Sequence, residues 1–312
     1  MEKVILDVDT GIDDALAILF ALESRKLDIL GITAVNGNVP LDYVTRNTKK
    51  VLKHAGNDTI RVFEGADRPL LKEAHHEFQV HGEDGIGMSL NDVSVDDSSS
   101  GSQFAADFII EQASIHRGEL TLIMVGPATN LALAVRKEPR IADWVKQVVM
   151  MGGLVSESGR GNVLPTSEFN IFADAEAARI VFHSGLPIKL VSLDVTMKTF
   201  LSLEHIEKLK GTRYYDFVMK STDSLRAYTE SSGINGCALH DPLTVGVVLD
   251  PSLVKTAKYY VDVETKSELS YGQTICDFNN VLKKAPNVEI CTDIDDERFI
   301  NMFIDALKNR KN

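Results

Sequence analysis

A chain of 312 residues, 44% hydrophobic and 25% charged, is long and apolar enough to bury a large core, which excludes a disordered segment. Its 45 acidic side chains outnumber 33 basic ones, for a formal charge of −12 with no basic run. A nucleic-acid partner is therefore not expected, and a small neutral substrate, or one met through a bound cation, fits better.

Residues 4–6 read as a first buried strand, and 13–23 as a helix with apolar Leu16, Ile18, Leu19 and Leu22. A second strand is expected over 27–35, then a helix over 41–54 that starts just after Pro40. Further buried strands are expected over 120–125 and 148–151, separated by a helix over 131–136. A punctuated helix covers 173–184, with Asp174 near its start and Gly185 and Pro187 closing it, and a strand follows over 188–193. The spacing then predicts a helix over 214–228, added strands within 257–290 and a closing helix over 296–307. Two segments break this alternation: 72–101, with His75, His76 and His81, reads as too polar for core, and 229–240 as a second loop. Both are expected to be mobile, the usual material of an active-site lid.

Apolar strands alternating with helices imply an α/β fold with a mostly parallel central sheet covered by helices on both faces. No linker or internal repeat is evident, so residues 1–312 are expected to form one domain. In such sheets ligands bind beyond the carboxyl ends of the strands. The conspicuous polar residues fall there: Asp7 and Asp9, Asn36 and Asn38, residues 126–130, and Gly152 with Gly153.

Cys237, Cys276 and Cys291 are odd in number and widely spaced, which suggests reduced thiols in the cytoplasm. Cys237 and His240 have a metal-like spacing, but no second pair completes a zinc site. No apolar stretch of signal-peptide length precedes Asp7, and no uncharged stretch is long enough to span a bilayer. A soluble, cytoplasmic protein without a membrane partner is expected.

Chemistry concentrates in Asp7-Val8-Asp9-Thr10-Gly11-Ile12-Asp13-Asp14, four carboxylates in eight residues. Asp7 and Asp9 share one face where the strand ends, and Asp13 and Asp14 fall in the first turn of the next helix. Helix capping accounts for one of the latter pair. It does not account for four acids at one strand end, because like charges repel unless a cation intervenes. Oxygen ligands without nearby cysteine suggest a hard cation, Ca²⁺ or Mg²⁺, beside which a carboxylate such as Asp9 can serve as general base.

The string DVDTGIDDALAI resembles the amino-terminal signature of the inosine–uridine nucleoside hydrolases, DxDPGxDDA, with Thr10 in place of the usual proline. The resemblance continues in order through Gly37-Asn38, His81-Gly82-Glu83-Asp84-Gly85, Gly126-Pro127-Ala128-Thr129-Asn130, Met151-Gly152-Gly153, Asn162 with Glu168-Phe169-Asn170, and His240-Asp241-Pro242. It implies a calcium-dependent hydrolase that cleaves ribonucleosides to free base and ribose with inversion. Matching positions place Asp9, Asp14, the Thr129 carbonyl and Asp241 on the Ca²⁺, with Asp9 also deprotonating the attacking water. Asp13 and Asn38 would hold ribose hydroxyls; Asn162, Glu168 and Asn170 would grip the remaining ribose oxygens. His240, and secondly His81, would help the base leave, while Phe169 and Tyr228 line the pocket and Asp7 supports the cluster from behind. The family implies a homodimer or homotetramer. The stretch 154–161 is longer than the family pattern and is expected to form a surface excursion at the pocket edge near Asn162.

Two other readings compete. A haloacid-dehalogenase phosphatase also begins with a strand ending in DxD, but its DxDxT motif needs a hydroxyl residue where this chain has Gly11, and no GDxxxD follows. A non-catalytic nucleoside- or ribose-binding protein would share pocket residues without needing a metal-side base together with a leaving-group histidine.

Overall fold

The computed structural model describes residues 1–57, 59–96, 100–156, 158–231 and 235–308, without the side chains of 228, 230 and 231. Strand β1 (Glu2–Val8) shows why the sheet is central. Val4, Leu6 and Val8 enter one apolar core and Ile5 enters another, all completely buried. Alternate residues of a strand point to opposite faces, so a strand buried throughout has to be covered twice. The next strands are β2 (Leu27–Ala34), β3 (Val62–Glu64), β4 (Leu120–Met124), β5 (Gln147–Met151) and β6 (Ile188–Val191). Then come β7 (Phe200–Leu201), β8 (Cys237–Ala238), β9 (Val254–Tyr259), β10 (Val261–Val263), β11 (Thr274–Cys276) and β12 (Val288–Ile294).

The main sheet runs β3-β2-β1-β4-β5-β6-β12-β9, and only its last pairing is antiparallel. Strands β7 and β8, and β10 and β11, form two small antiparallel ribbons outside it. Helices Ile12–Ser24, Leu41–His54, His240–Leu249 and Asp296–Lys308 cover one face. Helices Ala105–Ile115, Thr129–Lys137 and Ala175–Phe182 cover the other. The α/β class with a mostly parallel sheet between two helical layers is therefore as the sequence implied. Phe20 ties the first layer together by packing edge-on against Phe299 and Phe303, with centroids 6.3 and 5.4 Å away. Each such ring contributes about 1.5–3 kcal/mol by burial.

Several elements depart from the sequence reading. The expected helix over 173–184 is two helices, Phe169–Ala173 and Ala175–Phe182. Asp174 lies between them at φ −148°, and its carboxylate caps the second by accepting from the Ala177 N–H. The helix over 214–228 is likewise divided into Tyr215–Ser221 and Asp223–Ser231. The strand expected to reach 193 stops at Val191, because Leu193–Thr196 turns helical. The segment 72–101 is not too polar for core: Ile86 and Leu90 pack into the first apolar core and His81 is buried. Its backbone is held in part by the Asn47 side chain, which donates to the Asp84 carbonyl at 2.8 Å.

The order places β2 and β3 on one side of β1 and β4, β5 and β6 on the other. The chain reverses direction of travel at the gap between β1 and β4. A crevice beyond the carboxyl ends of strands at such a switch is where open α/β sheets bind ligands. Asp9 follows β1 and Val125 follows β4, so both stand at its floor.

Candidate active site

The turn from β1 into the Ile12–Ser24 helix organises the acids. Gly11 is the N-cap, and Asp14 reaches back to accept its N–H at 2.9 Å. The other Asp14 oxygen accepts the Asp9 N–H at 3.0 Å, so the capping residue also fixes the backbone of its neighbour. A side chain at Gly11 is excluded, since a Cβ there would sit 2.5 Å from His81 Nδ1 and 2.8 Å from Asn38 Nδ2. The close approach lets Ile12 N–H donate to His81 Nδ1 at 3.0 Å. Asn38 completes the turn: its N–H donates to Asp9 Oδ2 at 2.7 Å and its Nδ2 to Asp14 Oδ2 at 3.2 Å.

Asp13, Asp14 and Asp241 each present a carboxylate oxygen within 4.8 Å of the others. Asp9, Asp14 and Asp241 are buried, and Asp9 Oδ1 has no hydrogen-bond partner. Burial and then the charge of Asp14 push the Asp9 carboxyl well above the usual carboxylate range. Burial, then Asp13, raises Asp14 to about 7. Asp241 is pushed well up by burial and then by Asp13, Asp14 and Asp9. Carboxyls in this company either hold protons or share a cation. Their all-oxygen donor set, with a buried oxygen left over, suits a hard divalent ion.

Above this cluster lies a cavity of roughly 430 Å³. Asp13, Asn38 and Asp241 line it together with Asn162, Glu168, Phe169 and Asn170, and His81 and His240 also face it. Glu168 caps the Phe169–Ala173 helix, and its carboxylate accepts from the N–H groups of Gly153, Asn170 and Ile171. Asn162 Oδ1 accepts the Phe169 N–H at 2.9 Å, which leaves its Nδ2 as a donor. Asn170 Nδ2 donates to the Val125 carbonyl at 2.8 Å, which leaves its Oδ1 as an acceptor. Because His81 Nδ1 accepts an N–H, the neutral ring carries its proton on Nε2. Burial lowers the pKa of both His81 and His240, and His240 Nδ1 pairs with the Thr196 hydroxyl at 2.8 Å.

The fold thus gathers Asp13, Asn38, His81, Asn162, Glu168, Phe169, Asn170, His240 and Asp241 around one cavity, with Asp9 and Asp14 in the carboxylate cluster at its floor. Thr129 is the exception. It opens the Thr129–Lys137 helix, donates its hydroxyl to Asp174 at 2.7 Å and lines a separate surface depression with Leu41, Ala66 and Leu133. The residue between β4 and that helix that does line the cavity is Val125. A backbone carbonyl ligand would leave no mark in the side-chain sequence. The side chain of Tyr228 lies outside the described residues. Sequence reading also missed Val80, Met197, Phe200 and Leu225, apolar lining residues that no pattern separates from core.

A carboxylate cluster able to hold a hard cation, beneath a cavity of polar and apolar lining that a buried and a half-buried histidine also face, defines a hydrolase-type site at an α/β switch point. Residues 4–301 match the family described as inosine-uridine preferring nucleoside hydrolase, and the chain belongs to it. It is 35% identical to the inosine-uridine preferring nucleoside hydrolase of Crithidia fasciculata, covering 98% of each chain. It is also 35% identical to the pyrimidine-specific ribonucleoside hydrolase RihB of Escherichia coli (strain K12), covering 98% of this chain and 97% of that one. Among solved structures, the purine-preferring ribonucleoside hydrolase from Gardnerella vaginalis superposes with a TM-score of 0.89 at 34% identity, covering 98% of both chains. The protein is accordingly a hydrolase acting on N-glycosyl bonds of ribonucleosides.

Proposed function

We propose that the protein hydrolyses the N-glycosidic bond of ribonucleosides of the inosine and uridine type in a calcium-dependent reaction, releasing free base and ribose. The observation that carries this reading is the convergence of Asp13, Asp14 and Asp241, with Asp9 beside them, at the floor of a cavity that His81 and His240 also face. Asp9, Asp14, Asp241 and the Val125 carbonyl would hold the Ca²⁺, and Val125 replaces Thr129 in this role because only Val125 lines the cavity. Bound there, the ion supplies Lewis acidity to water and an anchor for a vicinal diol.

Asp9 takes the proton of the attacking water. Its Oδ1, buried and without a hydrogen-bond partner, is the oxygen free to accept that proton. Asp13 and Asn38 hold the ribose hydroxyls at the carboxylate end. Asn162 offers a donor, Asn170 an acceptor, and Glu168 a fixed negative charge to the rest of the ring. Breaking the bond builds positive charge on the ribose, so these groups stabilise the transition state more than the substrate. His240 protonates the departing base, and the Nε2–H of His81 is set to hydrogen-bond it. Val80, Met197, Phe200 and Leu225 supply apolar surface suited to a planar base.

Among the described residues no helix is long and apolar enough to cross a membrane, and all three cysteines are free. The same reading takes the enzyme to be cytoplasmic and a homodimer or homotetramer. The decisive experiment mixes purified protein with inosine, adenosine, uridine and cytidine, with and without calcium, and assays free ribose. Release from at least one of them, lost on chelation and restored by calcium, is expected; no release from any would refute the proposal.

A further inference from the structure

We infer that Asn47 is a positioning residue that couples the cation site to His81: its amide holds the aspartate turn and the histidine loop in one register, so that losing the amide weakens both. This deepens the hydrolase reading above and rests on it. Asn47 lies on the helix Leu41–His54, is buried and does not line the cavity. Its Nδ2 donates to two backbone carbonyls, that of Asp84 at 2.8 Å and that of Thr10 at 3.4 Å. Two facing carbonyls require the amino end of the amide, whose two hydrogens thus go to two different segments.

Thr10 belongs to the turn that carries Asp9, Asp13 and Asp14. Thr48, the next residue of the helix, holds the same turn. Its hydroxyl donates to the Val44 carbonyl at 2.8 Å and lies 2.6 Å from the Thr10 hydroxyl, which makes Thr10 the donor of that pair. Both threonines are completely buried. The aspartate turn therefore rests on this helix through both the backbone and the side chain of Thr10.

Asp84 belongs to the loop that follows His81. Gly87 N–H donates to the His81 carbonyl at 2.9 Å, Gly85 N–H donates to the Gly82 carbonyl at 3.0 Å, and Asp84 Oδ1 accepts from the N–H groups of Ile86 and Met88. These bonds make residues 81–88 move together. Gly85, at φ +85°, lets the loop settle on the helix, since a Cβ there would lie 2.9 Å from Val39 Cγ1 and 3.0 Å from Asn47 Nδ2. At its other end the loop meets the aspartate turn directly, where His81 Nδ1 accepts the Ile12 N–H at 3.0 Å. Turn, helix and loop thus close a circuit through Asn47. Removing the amide opens that circuit and strips a donor from two carbonyls at once.

The test measures calcium affinity by titration, the melting temperature of calcium-free protein, and kcat/KM at saturating calcium for the better of inosine and uridine. It uses wild type, Asn47→Leu, His81→Ala and the double variant. Asn47→Leu keeps the size of the side chain and removes both donors. Calcium affinity should fall about fivefold or more. The value of kcat/KM should fall about tenfold beside His81 but less than about threefold in the His81→Ala background, where the ring that the amide positions is gone. Asn47→Ser, too short to reach both carbonyls, takes its place in the same cycle should Asn47→Leu not fold. An amide that merely stabilises the fold would lower the calcium-free melting temperature alone. Unchanged calcium affinity, or losses of kcat/KM that multiply in the double variant, would overturn the inference and leave the hydrolase reading standing. A wild type that cleaves no ribonucleoside would overturn both.

Discussion

Two sets of buried acids lie close together in this fold, and their surroundings separate them. Asp7 Oδ2 accepts from the Thr33 hydroxyl and from Asn130 Nδ2, and Asn130 in turn reaches the Ala66 N–H and the Ala34 carbonyl. Asp174 accepts from the Thr129 hydroxyl and from the N–H groups of Leu70 and Ala177. Asp9, Asp14 and Asp241 are as deeply buried, but each has other carboxylates for neighbours. An oxygen without a partner does not distinguish the sets, since Asp7 Oδ1 and Asp9 Oδ1 both lack one. Like charge does. Donors around an acid tie strands and loops together, whereas acids around an acid call for a cation.

The largest test of that distinction uses two residues of one strand end. Asp9→Ala should lower kcat/KM for a ribonucleoside by about 10⁴-fold or more, because it removes a cation ligand and the base together. Asp7→Asn keeps an oxygen for the Thr33 hydroxyl and should cost less than about tenfold. Comparable losses in the two variants would erase the difference between the clusters.

His240 tests the leaving-group half of the proposed chemistry. His240→Ala should reduce turnover of inosine and uridine by about 10²- to 10³-fold, within the usual range for a lost proton donor. A nitrophenyl riboside, whose leaving group needs no proton, should lose about tenfold or less. Equal losses on both substrates would move His240 from leaving-group chemistry to architecture.

Protonation gives a third comparison, read as stability. Burial raises both Asp7 and Asp14 to about 7, from an ordinary value of 3.8. The native state therefore holds protons that the unfolded chain has released, so this stabilisation is complete below the ordinary value and lost as pH rises through about 7. Chelated protein should melt lower at about pH 8 than at about pH 6. The rise in Tm on adding calcium should be larger at the higher pH, by a few degrees, at about 2–4 °C per kcal/mol for a chain of this class. A calcium effect that is flat across this range would mean that the cluster is not the ion's site.

What the sequence made legible follows the same division. Strand β1 was readable because both faces are buried and its residues form an unbroken apolar run. The start of the Ile12–Ser24 helix was readable because Asp14 both caps it and belongs to the acid cluster. Groups with a distinctive side chain, such as the four amino-terminal aspartates or His240-Asp241, stood out in short strings. Strand β3 did not, as its three residues are too few to show a period. The apolar part of the cavity did not either: Val80, Met197, Phe200 and Leu225 come from separate elements and look like core until the fold assembles them. The break at Asp174 was hidden because an aspartate near a helix start looks the same whether it caps one helix or divides two.

Thr129 is where a polar residue in a familiar string was read as part of the cation site, and it gives the smallest test. Its hydroxyl donates to Asp174 Oδ2 at 2.7 Å, an oxygen that also accepts the Leu70 N–H at 2.9 Å. Thr129→Val keeps the shape and removes the donor, leaving one acceptor of a buried carboxylate with a single partner. The expected cost is about 1 kcal/mol of stability, the net worth of a typical intramolecular hydrogen bond. Calcium affinity and kcat/KM should stay within about threefold of wild type, because the change falls on the donor-tied set of acids and not on the cavity. Calorimetry and a calcium titration on the same preparation separate the two quantities. A loss of calcium affinity beyond about tenfold, with stability unchanged, would return the start of this helix to the ion's shell and remove the reason for preferring Val125.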